Sequence, residues 1–193
     1  MKLVLGSSSP RRREILETLG LVFEVVAPDI DETRHPEETP GVYVERVARS
    51  KAQALASTES VVLAADTAVV FKGRVLGKPG HPEEARSMLR LLQGERHEVF
   101  TGVALAAGVE ASSIHSVVDS TVVEMAPMTD DEIAGYVAGG EPMDKAGAYA
   151  LQGYGGVFVE RIEGSPSTVI GLAVHLLPRL FTSVGLDMAR FAR

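Results

Sequence analysis

Residues 63–79, LAADTAVVFKGRVLGKP, decide the fold class and point to the chemistry of this chain. The apolar run from Val61 to Ala65 is typical of a buried central strand, and Asp66 follows it at the predicted strand end. Lys78 comes twelve residues after Asp66, between a glycine and a proline that constrain its backbone. In α/β proteins the strand ends open onto the ligand crevice. An acid and a lysine delivered there suggest metal and phosphate chemistry.

The pattern around this stretch alternates helices with strands and predicts an α/β fold. Predicted strands cover 3–5, 23–26, 61–65, 98–106, 112–125 and 157–162, with a hairpin at 71–75; predicted helices cover 9–20, 41–57, 82–92, 129–139 and 167–181. The two middle strands are joined by a short turn and are expected to pair antiparallel. We therefore expect a mixed sheet flanked by helices. No linker interrupts residues 1–193, which predicts a single domain and leaves room for a second lobe at about 95–150.

The composition excludes several classes of function. The chain has 193 residues, of which 45% are hydrophobic, and 19 basic against 26 acidic residues give a net charge of -7. General binders of nucleic acid or anionic membranes need a basic footprint, which this balance opposes. The absence of cysteine excludes disulfides and thiolate chemistry. No segment approaches the roughly 20 apolar residues of a membrane span, so we expect a soluble, cytoplasmic protein.

The segment from Ser7 to Arg13 lies between a predicted strand and a predicted helix start. Ser9 is the expected N-cap and Pro10 the first helical residue. Helix N-termini attract anions, so arginines there cost about 0.3–1 kcal/mol each unless they converge on a polyphosphate. Two interpretations stay open: a phosphate cradle, or a capping serine followed by solvated arginines.

Lys51 and the acidic loop at 28–40 are further candidates. Lys51 borders the inward stripe of its helix, so it either snorkels to solvent or needs an anionic partner, such as a phosphate. Asp29, Asp31 and Glu32 of the loop are either plainly solvated or part of a magnesium site, which typically uses one or two carboxylates and substrate phosphates. Glu32 with Asp66 could supply those carboxylates.

Residues 141–153 mix charged with small side chains and fit either a plain loop or part of a binding site. Gln152 could read a base edge through its amide donor and acceptor. Other chemistry lacks support, because the sequence has neither a G-x-S-x-G motif nor a P-loop. The five histidines have no zinc-ligand spacing.

Taken together, these motifs resemble the Maf family of house-cleaning nucleoside triphosphate pyrophosphatases. The matching pieces occur in family order over nearly the whole chain: Ser7-Ser8-Ser9-Pro10-Arg11-Arg12, Asp31-Glu32, Ser50-Lys51, Ala65-Asp66-Thr67, Gly77-Lys78-Pro79, Thr101-Gly102 and the run from Gly140 to Gly147. The resemblance implies a fold related to inosine triphosphate pyrophosphatases, with a cleft between two lobes. It also implies a homodimer and a divalent cation, Mg²⁺ or Mn²⁺.

The implied reaction splits a nucleoside triphosphate between its α- and β-phosphates. By the resemblance Asp66 would accept the proton of water or bind the metal with help from Glu32, and Lys51 and Lys78 would neutralise phosphate charge. The remaining expected substrate contacts are Ser7, Ser9, Arg11, Arg12, Thr67, Lys145 and Gln152.

Three positions indicate the branch of the family. The residues at these positions, Arg11, Thr67 and Gln152, resemble those of the branch that acts on dTTP and UTP. That branch would by extension act on modified pyrimidine nucleotides. The sister branch, which acts on 7-methyl-GTP, carries other residues there. The rival interpretation is a nucleotide-binding regulator of cell division that needs no turnover. Asp66, Lys51 and Lys78 favour an enzyme, because binding alone would not require an acid beside repelling phosphates.

Overall fold

The computed structural model describes residues 1–193, the side chain of residue 111 excepted. The strands are β1 (Lys2–Gly6), β2 (Glu24–Val25), β3 (Ser60–Phe71), β4 (Arg74–Leu76), β5 (Arg96–Ala106), β6 (Ile114–Met125) and β7 (Val159–Glu163). The α-helices are α1 (Pro10–Thr18), α2 (Pro40–Ala54), α3 (Pro82–Leu92), α4 (Asp130–Ala138), α5 (Pro166–Ile170) and α6 (Leu177–Ser183). No described helix has the length and apolar content needed to cross a membrane.

The strands form a mixed sheet, as the sequence predicts. Hydrogen-bonded neighbours follow the order β2-β1-β3-β5-β6-β7, and β4 pairs with β3. β1 runs parallel to β2 and β3, whereas the β3–β4 and β6–β7 pairs are antiparallel. β5 and β6 are also neighbours, and the connection at 107–113 is too short for a parallel crossover, so their pairing is antiparallel.

The chain divides into two compact units. Residues 1–66, 101–119 and 171–193 form the first unit, and residues 67–100 and 120–170 form the second unit. In the first unit, alternate residues of each strand face opposite layers. Leu3 and Leu5 of β1 pack in one cluster with residues of α1 and α6, whereas Val4 packs in another cluster with residues of α2. Helices therefore cover both faces of these strands.

The second unit packs α3 and α4 against the ends of the longer strands. The hairpin between β3 and β4 is confirmed, and Lys72 and Gly73 turn it with positive φ angles of 47° and 80°. The predicted helix at 82–92 is present with the same bounds. The predicted helix at 129–139 is present as α4, and it begins with a capping box, in which Thr129 and Glu132 exchange side-chain and backbone hydrogen bonds.

The position of Asp66 corrects the sequence prediction. β3 continues to Phe71, so Asp66 lies in the middle of a twelve-residue strand and not at its end. The prediction ended the strand at the first polar side chain. The structure extends it because Val69, Val70 and Phe71 form the hairpin with β4 and are buried.

The predicted helix at 167–181 is wrong. It is replaced by α5, a 3₁₀ turn at Val174–Leu176 and α6. Gly171 breaks the helix with a φ of 121°, a conformation that only glycine adopts readily. The tail beyond α6 docks, since Phe191 is buried and its ring lies 5.7 Å from that of Phe181.

Candidate functional site

Two acids and one lysine meet in the first unit. Lys51 Nζ donates to Glu32 Oε2 and to Asp66 Oδ1, both at 2.9 Å. The Lys51 and Asp66 side chains are each 9% exposed, whereas that of Glu32 is 50% exposed. Lys51 therefore does not snorkel to solvent, and the anionic partner that its position demanded is a pair of carboxylates. Both carboxylates therefore converge on one positive group.

Helix α2 holds the acidic loop that carries Glu32. Tyr43 Oη donates to the Glu32 carbonyl at 3.1 Å, and Arg46 Nη2 donates to the Thr33 carbonyl at 2.9 Å. Arg46 also forms an ion pair with Glu38, whose second oxygen accepts from a loop amide. The Arg46 hydrogen bond lowers the pKa of Glu38 to about 2. The loop is thus tied to the helix that supplies Lys51.

The electrostatic field of the two acids extends to Tyr43. Burial, followed by the negative charges of Asp66 and Glu32, raises the pKa of Tyr43 to about 12. The phenol therefore stays protonated at neutral pH and remains a hydrogen-bond donor to the loop. Sequence reasoning missed Tyr43 and Arg46, because spacing on a helix does not show which loop lies against it.

Arg12 is buried near this cluster, in the first turn of α1. Its Nε donates to the Gly171 carbonyl at 2.8 Å and its Nη1 to Ser7 Oγ at 3.0 Å. Burial lowers the pKa of Arg12, and the charge of Asp66 partly opposes that shift. A guanidinium nevertheless remains charged at neutral pH. Arg12 thus brings a fixed positive charge to the same part of the first unit as Asp66.

The structure decides between the two interpretations of the arginine run for some of its residues only. The interpretation of capping serine and solvated arginines is wrong for Arg12, which is 8% exposed, and holds for exposed Arg13, which pairs with Glu17. Ser9 occupies the N-cap position, but its side chain makes no capping hydrogen bond. Instead, Ser7 Oγ accepts from the Ser9 amide at 3.2 Å. Arg11 is half-buried and stays a predicted substrate contact.

The predicted site residues from Thr67 onward belong to the second unit. Thr67 is half-buried on β3, and Lys78 is exposed in the segment after β4. The Gly147 amide donates to the Gly77 carbonyl at 3.1 Å, which joins the Lys78 segment to the segment after Lys145. Lys145 Nζ donates to the Glu141 carbonyl and to Asp144 Oδ1, both at 2.6 Å.

Gln152 is exposed on a loop whose backbone amides are hydrogen-bonded by the side chains of Glu141 and Tyr136. Glu141 accepts hydrogen bonds from the Tyr136 hydroxyl and from the Tyr154 and Gly155 amides, at 2.8–2.9 Å. The sequence contained Glu141 within the family-like run but gave no sign of this role. Tyr136 was also missed, because it reads as an ordinary apolar residue of the helix face.

A protein cage for a metal is absent from the described side chains. No group of three or more histidines, cysteines, aspartates or glutamates is placed there to hold an ion. Magnesium commonly uses fewer protein ligands, with substrate phosphates completing its shell. Glu32 and Asp66 fit that mode in number and chemistry, since they are two carboxylates that converge on one point of the first unit.

Fold and site together define a mixed-sheet α/β protein whose first unit assembles carboxylates, a lysine and a buried arginine. The Maf-like protein family model matches residues 2–184. The chain belongs to this family, which confirms the resemblance seen in its motifs.

Individual relatives match over almost the full length. The chain is 50% identical over 188 residues to the "dTTP/UTP pyrophosphatase" of Anaeromyxobacter dehalogenans (strain 2CP-C), covering 97% of this chain and 96% of that protein. It is 41% identical over 189 residues to the protein of the same name from Bacillus cereus (strain AH820), covering 97% of each. Among solved structures, a HAM1 protein from Coxiella burnetii is 20% identical with a TM-score of 0.45, covering 66% of this chain and 74% of that one.

Proposed function

We propose that this protein is a dTTP/UTP pyrophosphatase, which hydrolyses the triphosphate to a nucleoside monophosphate and pyrophosphate. The observation that carries the proposal is the Glu32–Lys51–Asp66 cluster in a chain of the Maf family. Relatives that are 41–50% identical over nearly their whole length carry the same name. Arg11, Thr67 and Gln152 support the pyrimidine branch.

The chemistry follows from the charges of the site. A water molecule adds to the α-phosphorus, the bond from that phosphorus to the bridging oxygen breaks, and pyrophosphate leaves with that oxygen. Asp66 accepts the proton of that water, and Lys51 holds the carboxylate in place through its 2.9 Å hydrogen bond. Arg12, Lys51 and Lys78 offset the negative charge of the phosphates, a term that dominates phosphoryl transfer.

A divalent cation, Mg²⁺ or Mn²⁺, is part of the proposal. Glu32 and Asp66 would hold it, and it would neutralise phosphate charge and make a bound water more acidic. The further contacts proposed for substrate are Ser7 and Ser9 toward the phosphates, with Lys145 as an additional cation.

We also propose a homodimer, which sedimentation velocity over a range of concentrations would test.

The deciding experiment identifies the products formed from UTP and Mg²⁺. We expect UMP and pyrophosphate in equal amounts; release of inorganic phosphate, or no release above background, would refute the activity. Asp66→Asn should lower kcat by at least about 100-fold, the usual scale for losing a general base, while UTP still binds in calorimetry. Asp119→Asn, another strand carboxylate of the first unit, is the matched control. A nucleotide-binding regulator predicts binding in every variant and turnover in none.

A further inference from the structure

The loop from Ala150 to Gly155 is fixed by two side chains of the second unit. Tyr136 Oη accepts from the Ala150 amide at 3.3 Å and donates to Glu141 Oε1 at 2.8 Å. Glu141 in turn accepts from the Tyr154 amide at 2.9 Å through Oε2 and from the Gly155 amide at 2.9 Å through Oε1. The pair thus holds the loop at both ends, with Gln152 exposed between the fixed points.

The backbone of the loop is shaped to accept these two side chains. A Cβ on Gly153 would lie 2.7 Å from Glu141 Oε2, and a Cβ on Gly155 would lie 2.3 Å from the Tyr136 hydroxyl. Gly153 also has a φ of 88°, which side chains disfavour. The glycines therefore bring the loop amides within reach of the carboxylate.

The charge state of Glu141 suits this role. Burial alone would raise its pKa, but the hydrogen bonds from the Gly155 and Tyr154 amides and from Tyr136 outweigh it, so the pKa of Glu141 is lowered. An ionised carboxylate binds amides more strongly than a neutral acceptor does. The main-chain oxygen of Glu141 also accepts from Lys145 Nζ at 2.6 Å. One residue therefore anchors both Lys145 and the Gln152 loop.

We propose that Glu141 is a positioning residue that sets pyrimidine selectivity by holding the Gln152 loop against Tyr136. The proposal rests on the proposed function, in which Gln152 reads the base. A uracil ring offers the Gln152 amide an N–H donor and a carbonyl acceptor, whereas cytosine replaces both with the opposite pattern. An amide that is held in the orientation matching uracil therefore favours UTP over CTP.

The test measures kcat/KM for UTP and CTP in matched variants. Glu141→Gln keeps the size of the side chain but puts an amide nitrogen where one carboxylate oxygen accepts a loop N–H. We expect about a tenfold loss in kcat/KM for UTP, mainly through KM, with CTP unchanged; one well-placed hydrogen bond accounts for this scale. Gln152→Ala should give a similar loss, and the double variant should lose no more than the larger single one.

Glu132→Gln is the matched control. Glu132 also binds backbone through its carboxylate, but at the start of α4 and not on the loop, so the ratio of UTP to CTP turnover should not change. If Glu141→Gln fails to fold, Tyr136→Phe removes one anchor and should shift the ratio in the same direction. An unchanged ratio in a folded Glu141 or Tyr136 variant overturns this proposal. Failure of the wild type to form UMP and pyrophosphate overturns the proposed function instead.

Discussion

Lys51 illustrates how one residue decides the local chemistry. Its ammonium and the Asp66 carboxylate are both almost excluded from solvent, so each charge depends on the other. Removing one partner of such a pair leaves an uncompensated buried charge, which costs more than the intact pair contributes. The lysine therefore stabilises the acid that the proposed reaction needs.

We expect Lys51→Met to lower the free energy of unfolding by about 3 kcal/mol, the scale found when a buried ion pair loses one member. Urea denaturation followed by circular dichroism measures it. Lys2→Met is the control, because the Lys2–Glu24 pair is 72% and 58% exposed and should contribute far less. Equal losses in the two variants would show that Lys51 and Asp66 are not effectively buried.

His97 is a second residue whose charge matters, although it takes no part in the proposed reaction. It is 3% exposed, its Nε2 lies 2.8 Å from the Tyr149 hydroxyl, and its Nδ1 has no partner among the described residues. Burial lowers the pKa of His97 to about 4. The neutral ring is therefore the form that the second unit accommodates.

This shift predicts a dependence of stability on pH. The folded pKa lies below the usual value of about 6.5, so the contribution is complete above that pH and is lost as the pH falls toward 4. Between pH 7 and pH 5 we expect a loss of about 2 kcal/mol from this group. His97→Gln, which cannot titrate, should remove that part of the slope in urea denaturation. A His97 resonance, identified by its absence from the spectrum of His97→Gln, that titrates near 6.5 in the folded protein would contradict the assignment.

At the scale of elements, the family-like pair Thr101-Gly102 lies where β5 packs closely against α2. Gly102 follows Thr101 in β5, and a Cβ added to it would lie 2.5 Å from the Val44 carbonyl oxygen and 2.8 Å from the Glu45 amide nitrogen. Those atoms are helix backbone and cannot rotate away. Glycine at this position lets α2, which carries Lys51, lie directly against the strand.

Gly102→Ala should therefore destabilise the protein by about 1–3 kcal/mol, the range for overpacking a well-filled core. Thermal unfolding of the variant provides the measurement. Gly135→Ala on α4 is the matched control, since a Cβ there meets nothing within 4 Å and alanine favours the helix by roughly 1 kcal/mol. A neutral Gly102→Ala would mean that helix and strand can separate without cost. We also expect the Gly102 variant to lose UTP turnover through displacement of Lys51.

At the scale of the whole molecule, the strands link the two units along the chain. β3, β5 and β6 each contribute residues to both units, because the unit boundaries fall after Asp66, Phe100 and Asp119. Unfolding one unit would therefore unfold one half of each of these strands, while the other half belongs to the unit that is still folded. Independent unfolding is the behaviour of domains with separate strands.

We predict a single unfolding transition in urea. Tyrosine fluorescence weights the second unit, which contains Tyr136, Tyr149 and Tyr154, whereas only Tyr43 lies in the first. Circular dichroism reports helices of both units. The two curves should coincide, as they do for two-state unfolding. A fluorescence midpoint separated from that of circular dichroism would show that the units unfold in turn.

The sequence alone determined the fold class, the family and most candidate residues. Alternating apolar patterns placed the elements because burial of one face repeats with the period of the strand or helix. The capping box of α4 and the turn at Lys72-Gly73 were readable because they depend on neighbouring residues only. Lys51 stood out because it borders the apolar stripe of its helix, and Asp66 because it follows a buried apolar run. Ser7 and Arg12 stood out because they lie at a predicted helix start, where anions bind.

Only the tertiary structure decided which of these residues meet. Lys51 contacts Glu32 and Asp66 because α2, the acidic loop and β3 pack together. Contacts between residues distant in sequence leave no periodic pattern in that sequence. The break at Gly171 and the extension of β3 past Asp66 were likewise set by partners elsewhere, whose packing overrides local propensity. Glu141 remained unremarkable in the sequence because its role lies in the backbone amides that it binds.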